Sequence, residues 1–483
     1  MLLQIKKRLL TAAALTLALI AAAPSTALAD SFPAPPEVIA ETAALMDVGT
    51  GKFLYDKDAD RKIFPASTTK LLTALVALEY LKPGEYVVVG DEINFVPAGS
   101  SRARHIIGET IRVDNLIRLL IIPSGNDTAC VIAMAVGRIA AGDDSISYAQ
   151  AEGIFSDLMN EKAEALGARN SHFVNPHGFH DARHYTTARD MCLIAAAALE
   201  NDLIRQISAE TDFVGPGAGE NPPEGAVNIQ YTTETHNLLI VPGQYHYQYA
   251  TGMKTGFTDE AGNCLVASAV RDGRTEISAV FFSTESERYT DTIALFDYGF
   301  GSFADEVVQS PGAAMETLRV SNPRLGDSGY VRTEAKGGYS AFLSKEELSR
   351  VERVITYKPE LAAGPDEIVT PAPEDPEFPP APGDVSETYI KPPIAAGDVV
   401  GRVAYTLDGE TIFTDDIIAL DAALERTQST DVDHKVEEVR TWLLSPAAIP
   451  YAGGAAGVIV LIIIIAVSAA KRKRRNRSGR YHW

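Results

Sequence analysis

Cysteine is scarce in this chain, and its cysteines do not form a pattern of pairs. The sequence of 483 residues contains three, Cys130, Cys192 and Cys264. An odd number without paired spacing excludes a disulfide framework. Each cysteine stands inside an apolar stretch, so we expect free thiols that are buried as small core residues.

Positive charge is also in short supply. The chain has 43 Lys and Arg against 64 Asp and Glu, a net charge of −21. Ten of the 43 basic residues stand at the two ends, in residues 6–8 and 471–480, with no acid beside them, so the part between them is more acidic than the total indicates. An acidic surface repels nucleic acid and anionic lipid, and we expect neither as a partner of that part.

The histidines do not have the spacing of a metal site. Four of them cluster in residues 172–184: His172, His177, His180 and His184. Their spacing matches neither of the zinc patterns that a helix carries, and Pro176 and Gly178 interrupt any helix there. We therefore expect no metal ion and no cofactor.

An apolar run near the start of the chain is typical of a secretory signal. Three basic residues, Lys6, Lys7 and Arg8, precede the apolar residues 9–23, and the small residues Ala27 and Ala29 follow. This order predicts a signal peptide over residues 1–29, with a retained signal anchor as the alternative.

A second apolar run, residues 452–470, contains no charged residue. At ~1.5 Å per residue in a helix, it is long enough to cross a hydrocarbon core of ~30 Å. The basic tail, residues 471–483, follows directly, and basic segments remain on the cytoplasmic side. The sequence therefore predicts a single-pass protein of the cell membrane, with its main part outside the cytoplasm.

Strand and helix patterns in the first 300 residues indicate an α+β fold. Strand patterns occupy residues 41–48, 52–55, 265–270 and 277–282, and Asp272-Gly273 joins the last two as a hairpin turn. Helical periodicity lies between them, in residues 67–81, 113–120 and 127–140. This order predicts one antiparallel sheet with helical cover.

The composition changes after Phe303. Short alternating stretches predict a small β-rich domain over residues 305–419, which leaves residues 30–304 as the main domain. A proline-rich insertion near residues 371–393 reads as a solvated loop. Residues 420–451 are expected to form a stalk.

Three short motifs stand in a fixed order: Ser67-Thr-Thr-Lys70, Ser124-Gly-Asn126 and Lys254-Thr-Gly256. A serine hydroxyl needs a nearby base to act as a nucleophile, and one helical turn places Lys70 on the same side as Ser67. Lysine is a base only when it is neutral, and burial beside a second cation such as Lys254 lowers its pKa. Each motif alone also fits a helix cap or a turn, but together they predict an active-site serine enzyme.

With their flanks, the motifs resemble a known family. Residues 64–70 read Phe-Pro-Ala-Ser-Thr-Thr-Lys, residues 122–129 read Ile-Pro-Ser-Gly-Asn-Asp-Thr-Ala, and residues 253–258 read Met-Lys-Thr-Gly-Phe-Thr. They are similar to the low-molecular-mass penicillin-binding proteins of the D-alanyl-D-alanine carboxypeptidase family, over roughly residues 35–420. The resemblance implies the fold shared by DD-peptidases and β-lactamases, and a bacterial enzyme that acts on peptidoglycan stem peptides and is inhibited by β-lactams.

The resemblance also implies a role for each motif residue. Ser67 would form the acyl-enzyme with Lys70 as base, and Ser124 would pass a proton to the leaving amine. The expected substrate-binding residues are Asn126 for the peptide amide, Lys254 and Thr255 for the terminal carboxylate, and Gly256 for close approach of the substrate. The oxyanion hole would consist of the backbone amides of Ser67 and Phe257.

The chain departs from the family at one place. Many members carry an arginine shortly before the third motif, whereas here Thr235-His236-Asn237-Leu238 occupies that region. Three alternatives accompany the carboxypeptidase prediction. A class A β-lactamase would need a Glu-x-x-Leu-Asn loop, which the sequence lacks, and a silent wall-binding protein would not need three intact motifs. A D,D-endopeptidase that cuts cross-links stays open.

Overall fold

The computed structural model describes residues 34–324, 327–365 and 385–445. The predicted signal peptide, apolar run 452–470 and basic tail lie outside the described residues, as do residues 371–384 of the proline-rich insertion. Contacts within the chain divide it after Phe303 into two compact units, and each is described by itself.

The first unit is built around a five-stranded sheet with helices between its strands. Its elements in chain order are β1 (Thr42–Asp47), β2 (Phe53–Lys57), a 3-10 turn (Ala66–Thr69), α1 (Lys70–Tyr80), β3 (Tyr86–Val88), a second 3-10 turn (Asp91–Phe95), β4 (Thr110–Arg112), α2 (Val113–Ile121), α3 (Asn126–Ala141), α4 (Tyr148–Ala165), α5 (Ala188–Glu200), α6 (Asp202–Ser208), β5 (Asp212–Pro216), β6 (Gln230–Glu234), β7 (Ala250–Thr258), β8 (Gly262–Arg271), β9 (Arg274–Ser283) and α7 (Glu287–Ser302).

The main sheet has the strand order β2-β1-β9-β8-β7, and all its neighbours are antiparallel. The hairpin between β8 and β9 turns at Asp272 and Gly273, which have φ values of 53° and 80°. Two consecutive positive φ values are those of a tight turn that matches the twist of the strands. The predicted antiparallel sheet and its C-terminal hairpin are confirmed.

The main core lies between this sheet and the helices. Alternate residues of β9, Ile277, Ala279 and Phe281, are buried in it together with apolar residues of α1, α3 and α5. Cys130, Cys192 and Cys264 are all buried free thiols, as predicted. Burial raises the pKa of Cys130 and of Cys264 to about 12, so both remain protonated.

The second unit is mostly strand. Its elements are β10 (Phe303–Gln309), β11 (Ala314–Val320), β12 (Tyr330–Ala335), β13 (Tyr339–Ser344), α8 (Lys345–Arg350), β14 (Glu352–Tyr357), a 3-10 turn (Pro359–Leu361), β15 (Val385–Ile390), β16 (Val399–Leu407), β17 (Glu410–Ala419) and α9 (Gln428–Leu444). Six of the strands form one sheet in the order β14-β16-β17-β12-β11-β15.

Two parts of the second unit differ from the expected loop and stalk. Residues 385–390 of the proline-rich insertion form β15, which pairs in parallel with β11. This stretch can form a strand because it is free of proline and buries Ile390. Ala423 is buried in the core of the second sheet, so the packed structure continues beyond residue 419 before α9 begins. In the described part of the chain, no helix combines the length and the apolar character that a membrane span needs.

Candidate active site

The three motifs meet at one cavity of about 720 Å³ in the first unit. Its lining includes the predicted residues Ser67, Ser124, Asn126, Thr255, Gly256 and Phe257. Lys70 and Lys254 are buried beside it, with 0% and 1% of their surface exposed. The structure therefore brings all eight predicted site residues together, although the motifs are far apart in sequence.

Ser67 lies in the 3-10 turn that leads into α1. The turn starts at a strained residue, since Ala66 has a φ of 47°, and Thr68 ties it to Pro65 through a hydrogen bond of 2.7 Å to the Pro65 carbonyl. A non-glycine residue with positive φ is costly and is retained where the surroundings fix the backbone. The turn presents Ser67 to the cavity.

Lys70 is the first residue of α1, and its amine has three close neighbours. Its Nζ atom lies 2.8 Å from Ser67 Oγ, 2.7 Å from Asn126 Oδ1 and 2.8 Å from the carbonyl oxygen of His177. Burial, and then the charge of Lys254, hold the pKa of Lys70 well below its usual value. A neutral amine has two N–H groups and one lone pair. In its neutral form the amine would donate its two N–H groups to Asn126 and His177, which would leave the lone pair for the Ser67 hydroxyl.

The second motif joins α2 to α3. Ser124 has a φ of 61°, and Asn126 begins α3 with its backbone N–H bonded to the Ser101 carbonyl at 2.9 Å. Ser124 is 2% exposed, and its Oγ atom has no hydrogen-bond partner among the described residues. It does not contact Lys70 through a hydrogen bond here, so its hydroxyl is available to a group that enters the cavity.

The third motif lies on β7, one of the two edge strands of the sheet. Gly256 approaches the turn at Ser67 so closely that a Cβ atom in its place would lie 3.1 Å from Ser67 N and from Pro65 O. Lys254 donates to the Thr255 carbonyl at 3.0 Å. Burial, and then the charge of Arg288, lower the pKa of Lys254 to about 7.

Arg288 and His236 also line the cavity. The sequence motifs did not indicate Arg288, whereas His236 stands in the region where many members of the resembling family carry an arginine. Arg288 is the second residue of α7, and the next residue, Tyr289, donates from its hydroxyl to the His236 carbonyl at 2.9 Å. Burial, then Lys254 and Arg288, lower the pKa of His236 and favour its neutral form. Arg288 thus supplies a cation at the cavity although no arginine stands in residues 235–238. Its distance from the motifs in sequence left no local signal for it.

His184, one of the four clustered histidines, contacts the 3-10 turn that carries Ser67. His184 Nε2 lies 2.9 Å from Thr69 Oγ1, and its Nδ1 accepts from the backbone N–H of Val174 at 3.1 Å. Burial lowers the pKa of His184 to about 3. Within the described residues, no group of three or more His, Cys, Asp or Glu has the arrangement of a metal site.

His177 and Gly178 are a second contribution that the sequence motifs did not indicate. Besides the bond from Lys70 to His177, Thr73 Oγ1 donates to the Pro176 carbonyl at 2.6 Å. Gly178 has a φ of 82°, and a Cβ atom there would lie 1.8 Å from the Ala66 carbonyl oxygen. Only glycine fits at such a contact. The Pro-His-Gly sequence is the signal that could have suggested this close approach.

Comparisons with known proteins agree with this geometry. A model of the D-alanyl-D-alanine carboxypeptidase family matches residues 29–285. The D-alanyl-D-alanine carboxypeptidase DacA of Escherichia coli (strain K12) is 34% identical over 314 residues, which are 61% of this chain and 71% of that protein. DacF of Bacillus subtilis (strain 168) is 28% identical over 330 residues, 67% of this chain and 78% of that protein.

Solved structures show the same fold. The D-alanyl-D-alanine carboxypeptidase DacD from Francisella tularensis superposes with a TM-score of 0.54 and 23% identity, over 81% of this chain and 95% of that one. A mutant of the Streptomyces K15 DD-transpeptidase gives a TM-score of 0.50 with 31% identity, over 55% of this chain and 99% of that one. With its three motifs around one cavity, this chain belongs to the family of serine-type D-alanyl-D-alanine carboxypeptidases.

Proposed function

We propose that this protein removes the terminal D-alanine from peptidoglycan stem peptides through an acyl-enzyme on Ser67. The observation that carries the proposal is the position of Lys70, buried, low in pKa and 2.8 Å from Ser67 Oγ. A buried neutral amine in hydrogen-bond contact with a serine hydroxyl is an activated nucleophile with its base. β-Lactams would bind at the same serine as inhibitors.

The reaction would proceed in two steps. Ser67 Oγ attacks the carbonyl carbon of the penultimate D-alanine while its proton passes to Lys70 Nζ. The backbone amides of Ser67 and Phe257 stabilise the resulting oxyanion. The C–N bond then breaks, and the amine of the terminal D-alanine leaves with a proton that Ser124 passes on from Lys70. Water hydrolyses the ester on Ser67 and regenerates the enzyme.

Substrate binding is assigned to the walls of the cavity. Asn126 would contact the peptide amide, and Gly256 would let the peptide lie close to the backbone of β7. Lys254 and Thr255 would bind the terminal carboxylate, and the position of Arg288 in the lining makes it a third group for that role. The two cations among these groups, Lys254 and Arg288, distinguish a free carboxylate from its amide, which is the selectivity of a carboxypeptidase.

The test is the product formed from a pentapeptide that ends in D-Ala-D-Ala. We expect release of one D-alanine, a stable adduct of labelled penicillin on Ser67, and neither from Ser67→Ala. Undiminished labelling of Ser67→Ala, or an adduct on another serine, would exclude this mechanism. Because one relative is named a DD-transpeptidase, cross-linked muropeptides belong in the same experiment. Their cleavage would show the endopeptidase activity that the sequence leaves open.

We also propose that the enzyme is exported and held at the cell membrane. The supporting observations are the signal pattern in residues 1–29 and the apolar residues 452–470 before the basic residues 471–483. The catalytic domain, residues 30–304, and the β-rich domain, residues 305–419, would then lie outside the cytoplasm, joined to the membrane by residues 420–451. Deleting residues 448–483 should release an active enzyme. Retention of the truncated protein on membranes would refute the proposed anchor.

A further inference from the structure

A buried polar network lies behind one wall of the cavity and takes no part in the proposed chemistry. It consists of five side chains: His105, Glu109, Asp127, Thr128 and Tyr231. All are buried, with exposed fractions from 0% for Glu109 and Thr128 to 6% for His105 and Tyr231. Buried polar groups are costly unless they are paired, so a complete network of this kind fixes its members in one arrangement.

Four of the five side chains are joined by hydrogen bonds: Tyr231, Glu109, His105 and Thr128. Tyr231 donates from its hydroxyl to Glu109 Oε1 at 2.5 Å. Glu109 Oε2 lies 3.0 Å from His105 Nδ1, and the other ring nitrogen, Nε2, lies 2.9 Å from Thr128 Oγ1. Burial beside Glu109 raises the pKa of Tyr231, which keeps its hydroxyl protonated as the donor. One chain of contacts therefore runs from β6 to the first turn of α3.

Asp127 forms hydrogen bonds with the backbone of residues 103–105, which lead away from the cavity wall. Its Oδ1 accepts the backbone N–H of Ala103 at 2.8 Å, and its Oδ2 accepts those of Arg104 at 2.7 Å and His105 at 3.2 Å. Arg104 has a φ of 71°, an unfavourable conformation for arginine that these bonds maintain. We call residues 98–105 the wall segment, because its first four residues line the cavity.

The network touches the second motif directly. A Cβ atom on Gly125 would lie 2.4 Å from Thr128 Oγ1 and 3.1 Å from the Ala103 Cβ. Asn126 donates its backbone N–H to the carbonyl of Ser101, which belongs to the wall segment. Asn126 in turn accepts a hydrogen bond from Lys70. A shift of Thr128 or of the wall segment would therefore move the amide that orients the base.

We infer that His105, Glu109, Thr128 and Tyr231 are positioning residues, which hold the wall segment and Asn126 in the arrangement that acylation requires. The inference rests on the proposed function, because it assigns these residues to the same cavity. These four residues act through Asp127 and Asn126 and do not themselves touch the substrate.

The first test is Tyr231→Phe, which removes only the hydroxyl. We expect the second-order rate of acylation by labelled penicillin to fall about tenfold. Trypsin should cleave after Arg102 and Arg104 more rapidly than in the unmodified enzyme, because both lie in the wall segment. Cleavage elsewhere in the first unit should not change, and acylation should protect the bonds after Arg102 and Arg104.

The matched control is Tyr357→Phe in the second unit. Tyr357 donates from its hydroxyl to Glu316 at 2.8 Å and is half-buried, so the substitution removes the same kind of bond. We expect its acylation rate and its cleavage at Arg102 and Arg104 to equal those of the unmodified enzyme. A purely structural role of Tyr231 would accelerate proteolysis throughout the first unit and leave the rate of the folded enzyme unchanged.

A second pair of variants decides the matter if Tyr231→Phe does not fold. Thr128→Ser retains the hydroxyl and should acylate at nearly the normal rate, whereas Thr128→Val should show the tenfold loss. Equal rates for the two would overturn the inference, as would a Tyr231→Phe enzyme that behaves like the control. If the unmodified enzyme neither acylates nor releases D-alanine, the proposed function itself fails, and that result is distinct from the failure of the network.

Discussion

The carbonyl oxygen of His177 accepts a hydrogen bond of 2.8 Å from Lys70 Nζ, across 107 residues of sequence. Gly178 makes the contact possible, because any Cβ atom there would collide with Ala66. A segment outside the three motifs thus accepts a hydrogen bond from the amine of Lys70. The orientation of the Lys70 amine toward Ser67 depends on that carbonyl as well as on Asn126.

Replacing Lys70 by arginine tests the assignment of the base. Arginine retains the positive charge but does not deprotonate near neutral pH. We expect acylation by labelled penicillin to fall by a factor of ~10²–10⁴, the usual contribution of a general base. Lys162→Arg is the control, since Lys162 pairs with Glu79 at the surface at 2.7 Å. An arginine variant at position 70 with a nearly normal rate would show that Lys70 is structural.

The local parts of this site could be predicted from the sequence. The interval between Ser67 and Lys70 is one helical turn, and the turn residues Asp272 and Gly273 specify their own hairpin. Both are properties of a few adjacent residues. The antiparallel sheet and the helices between its strands followed from periodicity in the same way.

The remainder depends on tertiary contacts that no local pattern encodes. Arg288 reaches the cavity because α7 begins there, and the sequence gives no sign of which surface that helix turn will face. The His177 carbonyl is a backbone group, so the identity of the residue says nothing about its role. The sequence did not predict the strand β15, because the prolines around it indicated a loop.

The pH dependence of acylation should report two lysines with lowered pKa values. Deprotonation of Lys70 should raise the rate, and loss of the Lys254 charge that binds the carboxylate, near pH 7 in the free enzyme, should lower it. Arg288→Gln removes a cation that lowers the pKa of Lys254, so the alkaline limb should move to higher pH. Arg288→Lys retains the charge and should leave the limb in place. If the alkaline limb does not move in Arg288→Gln, that limb does not report the deprotonation of Lys254.

A buried carboxyl that does not line the cavity should affect stability. The side chain of Glu276 is 0% exposed, and burial raises its pKa to about 8 although Arg274 lies 2.9 Å away. An unfolded glutamate loses its proton near pH 4.3. The folded state therefore binds the proton more tightly, and this contribution to stability is complete below about pH 4.3 and is lost as the pH rises to about 8.

Glu276→Gln should remove this dependence, because an amide does not titrate. Relative to the unmodified enzyme, the variant should gain stability between pH 5 and pH 8, by up to about 1.4 kcal/mol for each unit. Thermal unfolding at several pH values measures the difference. Glu79→Gln, which alters a side chain that is 47% exposed, should give a much smaller change over that range. A stability difference between Glu276→Gln and the unmodified enzyme that does not change with pH would contradict the raised pKa of Glu276.

Recognition of the terminal carboxylate can be tested on a peptide substrate. Thr255 and Arg288 both line the cavity, and a hydrogen bond to a charged group contributes ~1.5–3 kcal/mol. Thr255→Val should therefore reduce D-alanine release from a D-Ala-D-Ala pentapeptide roughly tenfold or more. The amidated pentapeptide should react slowly with both enzymes. Thr251→Val is the control on the same strand, because Thr251 bonds to Ser268 at 2.7 Å.

The same preparation should turn penicillin over slowly, since the sequence lacks the Glu-x-x-Leu-Asn loop that deacylates class A enzymes. The acyl-enzyme on Ser67 should then persist after penicillin is removed. Equal rates on the free and the amidated peptide would exclude carboxylate recognition by Thr255 and Arg288. Rapid hydrolysis of penicillin without release of D-alanine would instead assign the cavity to β-lactam hydrolysis, because the same acylating residues serve both reactions and only the fate of the ester differs.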